Sequence, residues 1–212
     1  MLSLRPEDRQ RLLANTLRTG TLPRIGPSGL GVEKQMTTQD IATAIERAQT
    51  VLERRPDMGL HDDMPGMARW QGGVSTVVSH VNGAQMVTDM PAELGGSGEH
   101  VSPGWLVRAG LAACTVTTIA MVAAAEGIAL DSLEVRTDSR SDARGLLRLA
   151  GDDGKPCHPG PLDVRMVVRI AAAGVPAERL RALVETAQRC SPMGSAIEQA
   201  VPVALQVEVL NA

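Results

Sequence analysis

Three thiols carry most of the chemistry open to this chain: Cys114, Cys157 and Cys190. A thiolate is a strong nucleophile. Oxidised, it becomes a sulfenic acid, and a second thiol can condense with that acid to a disulfide. Cys114 and Cys190 are both associated with helices and stand 76 positions apart, which is compatible with such a pair although spacing alone does not establish one. Cys114 falls inside a helical run, and helical spacing puts Gly110, Leu111, Thr117, Thr118 and Met121 on its face. That small, apolar face equally suits a buried structural cysteine. Cys190 ends one expected helix, and Ser191-Pro192 reads as the cap and first residue of the next. Free N–H groups and the helix dipole there could lower its thiol pKa. Cys157 lies in a Pro- and Gly-rich loop beside His158 and reads as solvent-facing and incidental.

Other chemistries have weaker support. The sequence has no C-x-x-C and no H-E-x-x-H, and His61, His80, His100 and His158 are scattered, so no metal site is expected. Gly95-Gly96-Ser97-Gly98 looks superficially like a phosphate loop, but no lysine follows it, and it reads as a flexible turn. Ser191 and Ser195 lack the G-x-S-x-G context of a hydrolase nucleophile. No cofactor is expected.

The elements that must position the thiols follow from periodicity and punctuation. Ser102-Pro103 supplies an N-cap and a first-turn proline, so a long buried helix is predicted from there to about Glu126, stopped by Gly127. Before it, residues from Met67 open a small antiparallel meander, with strands at Ser75 to Val81 and Gln85 to Thr88 joined by the hairpin signal Asn82-Gly83. After it, Ser132 to Thr137, Leu146 to Ala150 and Val164 to Ala171 read as strands, with a loop over Asp152 to Pro161. A helix from Pro176 to near Cys190 and a closing strand over Val203 to Val209 complete the domain. Residues 1–66 read as a helical N-terminal extension, with helices over Pro6 to Leu17 and Thr37 to Arg55, and residues 67–212 as the main domain. The fold class is α+β, antiparallel strands around a central helix.

Composition narrows the partners. Lys+Arg 21 against Asp+Glu 24 gives a net charge of -3 with no basic run, and Phe and Tyr are absent, so no nucleic-acid partner is expected. The most apolar run, Ala109 to Ala125, is bounded by Arg108 and Glu126 and falls short of a convincing membrane span, so no membrane partner is expected either. Three cysteines are too few for a disulfide framework, and the early charges Arg5, Glu7, Asp8 and Arg9 leave no room for a signal-peptide core. A cytoplasmic location is the expectation.

Several short motifs, in order, carry a resemblance: Ala68-Arg69-Trp70-Gln71-Gly72-Gly73, Asp89-Met90-Pro91, Leu94-Gly95-Gly96-Ser97-Gly98, Ser102-Pro103, Leu111-Ala112-Ala113-Cys114 and Cys190-Ser191-Pro192-Met193. Over about residues 67–210 the chain resembles the OsmC/Ohr family of osmotically induced and organic-hydroperoxide-resistance proteins. The resemblance implies an intertwined homodimer, two sheets wrapped around two long central helices, with active sites shared between subunits. It implies that Cys114 is the peroxidatic thiol, attacking an organic or fatty-acid hydroperoxide, and Cys190 the resolving thiol. It further implies reduction of their disulfide by a dithiol, in some members a lipoyl group on a protein.

The resemblance is incomplete at the activating residues. Family peroxidases use an arginine from the loop before the helix and a glutamate just inside it. Here Gly104 and Trp105 fill the glutamate region, no arginine lies between Trp70 and Leu106, and Arg108 is on a different helix face from Cys114. Arg69, Glu93, Glu99, His100 or an arginine of the extension are candidates to substitute across a dimer, with none singled out. An apolar pocket walled by Met121, Met193, Leu111 and Trp105 is expected beside the thiols. The alternative reading is a non-catalytic dimer of the same fold that binds an apolar ligand or a protein partner, and a redox sensor is a third. The extension is expected to cover an apolar surface of its own dimer.

Overall fold

The computed structural model of the chain describes residues 36–209. The expected helix over Pro6 to Leu17 lies outside them. The first described helix, α1, spans Thr38–Arg54. Its start is set by a reciprocal cap: Asp40 N–H donates to Thr37 Oγ1 at 3.1 Å, and Thr37 N–H donates back to Asp40 Oδ2 at 3.0 Å. A 3-10 turn over Pro56–Gly59 ends this segment.

Three short strands follow, β1 (Met67–Trp70), β2 (Thr76–Ser79) and β3 (Gln85–Thr88), in an antiparallel sheet of order β1-β2-β3. Asn82-Gly83 makes the β2-β3 turn as its sequence predicts, with Gly83 at φ 89° and Asn82 Oδ1 accepting from Ala84 N–H. After a 3-10 turn at Ala92–Leu94, the long helix α2 spans Pro103–Ala125. Ser102 caps it by accepting from Trp105 N–H, and Gly127 leaves it at φ 70°.

The second sheet is an antiparallel pair, β4 (Ser132–Ser141) and β5 (Pro161–Ala171), with a register shift at Arg140/Ser141. Both strands run longer than their β-branched cores suggest. Helices α4 (Ala177–Arg189) and α5 (Pro192–Glu198) end the described secondary structure, and a single turn of helix, α3 (Ala143–Leu146), sits between β4 and β5. The core lies where α2, α4 and the β4-β5 pair meet: Ile119, Ala123, Val135, Leu183 and Ala187 are buried there together. Alanines at 123 and 187 let the helices approach closely, while Ile119 and Leu183, both fully buried, supply about 1.5–3 kcal/mol each.

Three expectations fail. Residues Leu146 to Ala150 form no strand. Asp142 instead caps α3 by accepting from Arg144 N–H, Arg148 turns at φ 59°, and Gly145 packs so close to the His158 carbonyl that no side chain would fit. Val203 to Val209 alternates as a strand should but takes no regular structure, because no edge of the described residues pairs with it. Thirdly, α2 is not buried all round. Leu111, Thr115, Ile119, Ala123 and Ala124 form its buried stripe, whereas Val107 is 61% exposed and Met121 45%. One chain covers one face of this helix, although by length and composition it is long enough to cross a membrane.

Candidate active site

Cys114 lies mid-way along α2, half-buried, and its position is fixed by the helix itself: Thr118 Oγ1 donates to the Cys114 carbonyl at 2.9 Å. Its thiol Sγ is 3.5 Å from the Oγ of Ser191, which is only 1% exposed. Ser191 also caps α5, its Oγ accepting from Gly194 N–H at 3.4 Å. The hydroxyl keeps a second lone pair after accepting from that N–H, so either the Ser191 hydroxyl or the Cys114 thiol can donate across this contact. A neutral hydroxyl therefore faces Cys114. From the sequence Ser191 is a cap; that a cap one residue after Cys190 touches Cys114 depends on how α4 and α5 pack on α2, which no local pattern encodes.

Cys190 is the C-cap of α4, exposed, with its N–H donated to the Ala187 carbonyl. Cys114 and Cys190 line the same cavity, of about 480 Å³. Helix α2 contributes Thr117, Thr118, Met121, Val122 and Ala125 to its wall besides Cys114, the α4-α5 corner contributes Cys190 and Pro192, and α1 contributes Ile45 and Gln49. The lining holds no charged side chain. This volume lies in the usual range for small-molecule sites.

The expected pocket wall is corrected in part. Met121 lines the thiol cavity, but Leu111 lines a different one, of about 640 Å³, with Arg108, whose Nη1 donates to Ser139 Oγ at 3.2 Å. Trp105 and Met193 do not line the thiol cavity and are about half exposed. Cys157 is corrected too: it is half-buried, and its N–H donates to the Leu149 carbonyl. In the same loop region the Asp142 carboxylate lies below the usual range chiefly because Arg144 holds it through side-chain and backbone bonds. Among the described residues, no group of three or more His, Cys, Asp or Glu side chains is arranged to hold a metal ion.

The Gly-rich loop before α2 is a built turn, not a flexible one. Asp89, 4% exposed, accepts at Oδ2 from Ser97 Oγ at 2.6 Å and Ser97 N–H at 2.7 Å, and at Oδ1 from Met90 N–H at 2.8 Å. Those bonds, the Ser97 hydroxyl first, hold its carboxyl below the ordinary aspartate range. Gly96 lies so close to the Met90 carbonyl that a Cβ there would run into it.

The chain's likeness to known proteins rests on this same region. A family model described as OsmC-like protein matches residues 96–206, just over half of the chain. The chain belongs to the OsmC-like family. Solved structures agree on the fold. An OsmC-like protein from Mycoplasma pneumoniae superposes with a TM-score of 0.54 at 15% identity, over 66% of this chain and 89% of that one. An OsmC-like protein of unknown function from Vibrio cholerae O1 biovar eltor gives 0.53 at 12% identity, over 65% and 95%. An organic hydroperoxide resistance protein from Elizabethkingia anophelis gives 0.50 at 22%, over 65% and 89%. No curated protein matches the sequence. The OsmC-like match includes α2, β4, β5, α4 and α5 and hence both Cys114 and Cys190, whereas α1, which supplies Ile45 and Gln49 to the cavity wall, lies outside it.

Proposed function

We propose that this OsmC-like chain is a thiol-dependent peroxidase that reduces organic hydroperoxides, with Cys114 peroxidatic and Cys190 resolving. The observation that supports it most is that both cysteines line one largely apolar cavity while Ser191 Oγ faces the Cys114 sulfur. The Cys114 thiolate attacks the distal oxygen of the hydroperoxide. An S–O bond forms, the O–O bond breaks, and the alkoxide takes a proton and leaves as an alcohol. The Cys190 thiolate then attacks the sulfenic sulfur, releasing water and forming a disulfide. An external dithiol, of which a protein-bound lipoyl group is one kind, reduces that disulfide by exchange.

The same proposal includes a homodimer, a cytoplasmic location where the thiols stay reduced, and a division into a 1–66 extension and a 67–212 domain. The dimer is supported by the β1-β2-β3 sheet, whose β1 is exposed along its whole length. The experiment is mass spectrometry of the reduced protein after one equivalent of cumene hydroperoxide, with thiols trapped. Fast peroxide-dependent formation of a Cys114–Cys190 disulfide is expected, with sulfenic acid accumulating on Cys114 in Cys190→Ser. Oxidation no faster than that of a free thiol would overturn the catalytic reading.

One observation favours a second reading. The cavity lining holds no cation to stabilise a thiolate, which suits an OsmC-fold protein that binds an apolar ligand without turning it over.

A further inference from the structure

Helix α1 lies outside the OsmC-like match, yet it is part of the wall around the thiols. Its sequence explains how. Ile41, Ile45, Ala48 and Leu52 recur at helical spacing, giving one apolar stripe on an otherwise polar helix, and the Thr37–Asp40 cap fixes where that helix begins. The helix packs along α2. Ile45 and Gln49, four residues apart and so stacked on one face, close the side of the cavity across from Cys114, Thr118 and Met121. Ile45 is half-buried there, a branched side chain with no room-making flexibility at its β-carbon. Gln49 is exposed, and its carboxamide makes no hydrogen bond to any described residue, leaving two donors and an acceptor at the cavity mouth. The hydroxyl of Thr118, by contrast, is already spent on the Cys114 carbonyl.

We infer that α1 is the specificity wall of the thiol cavity: Ile45 limits the bulk of the molecules that reach Cys114, and Gln49 hydrogen-bonds their polar end. The occupant is an uncharged apolar molecule, since the lining offers hydrocarbon and neutral polar groups and no ion to pair with a carboxylate or phosphate. This deepens the peroxidase reading and, for the identity of the occupant as a neutral organic hydroperoxide, rests on it. The wall itself can be tested without turnover.

The test uses the full chain, reduced, and measures by peptide mass spectrometry how fast Cys114 is alkylated by N-ethylmaleimide and by the much bulkier N-pyrenylmaleimide. Cys157, away from the cavity, is the internal control. In the wild type the small reagent is expected to win at Cys114. Ile45→Ala should raise the pyrenyl rate at Cys114 about tenfold, the scale of a few methylenes in an apolar pocket, and leave the Cys157 ratio unchanged. Gln49→Trp, a change at an exposed position that folding tolerates, should instead slow both reagents at Cys114. With cumene hydroperoxide as substrate, Gln49→Leu should raise KM and leave kcat in place. An unchanged pyrenyl-to-ethyl ratio at Cys114 in Ile45→Ala, together with unchanged Cys114 rates in Gln49→Trp, would overturn the wall, even if the protein proves a peroxidase. A shifted ratio in Ile45→Ala and slowed alkylation in Gln49→Trp without any peroxide turnover would uphold the wall and overturn the peroxidase reading instead.

Discussion

At the scale of single residues, the contact between Ser191 and Cys114 links stability to chemistry in one side chain. Ser191 is buried, caps α5 through Gly194 N–H, and sets its hydroxyl 3.5 Å from the Cys114 sulfur. Ser191→Ala removes both. Loss of the cap is expected to lower stability by about 1 kcal/mol, read from the urea midpoint. Ser191→Thr keeps the hydroxyl and should restore the midpoint; an alanine midpoint that is unmoved would remove the cap from the stability of α5. The thiols themselves were legible in the sequence, since their residue types and helix-end positions suffice to nominate them. Their surroundings were not. Cys157 reads as solvent-facing because its neighbours are Pro and Gly, yet it is half-buried and its N–H is tied to the Leu149 carbonyl, eight positions earlier, through a turn that only the folded chain makes.

Among the elements, helix ends and tight turns were legible and strand partners were not. Ser102-Pro103, Gly127 and Asn82-Gly83 each satisfy a local requirement, an orphan N–H or a positive φ, so the local sequence decides them. The segment Leu146 to Ala150 has strand-like composition, but the Asp142 cap and the close approach of Gly145 to His158 decide for a turn. The loop from Asp89 to Gly98 makes a prediction of its own. Its carboxyl is held below the ordinary range by bonds from Ser97 and Met90. A folded-state pKa below the unfolded one means that the unfolded chain binds the proton more readily. The contribution is therefore complete above the unfolded value of about 4 and is lost as pH falls through the folded value. Urea titrations should show the wild type losing stability relative to Asp89→Asn on acidification below about pH 4, with the gap constant above about pH 5. A gap that stays flat at all pH values would sink this assignment. Gly96→Ala should be destabilising at every pH, because its Cβ would meet a backbone carbonyl that cannot move without breaking the Asp89 ring.

For the whole molecule, what one chain leaves uncovered matters as much as what it buries. The β4-β5 pair packs on α2, yet β1 lies exposed from end to end, with Met67 and Trp70 at 51% and 71%. The tail is more telling. Val203, Leu205, Val207 and Val209 are 91%, 87%, 72% and 86% exposed, and at every second position they would share one face of an extended strand. Alternation was legible as a strand signal, but a strand exists only when an edge pairs with it, and in the proposed homodimer a second copy would supply that edge. Burying such a side chain is worth about 1.5–3 kcal/mol, so four of them, with the apolar faces of the first sheet and α2, give a second copy a large reason to bind. Sedimentation at micromolar concentration is therefore expected to give twice the 22.3 kDa of the chain. The pair Leu205→Asp and Val207→Asp places two carboxylates on that face. If the face is an interface, the variant should sediment as a monomer and bind a hydrophobic dye that the wild type does not. A wild type that sediments as a monomer, or a variant that still dimerises with equal affinity, would remove the tail from the interface.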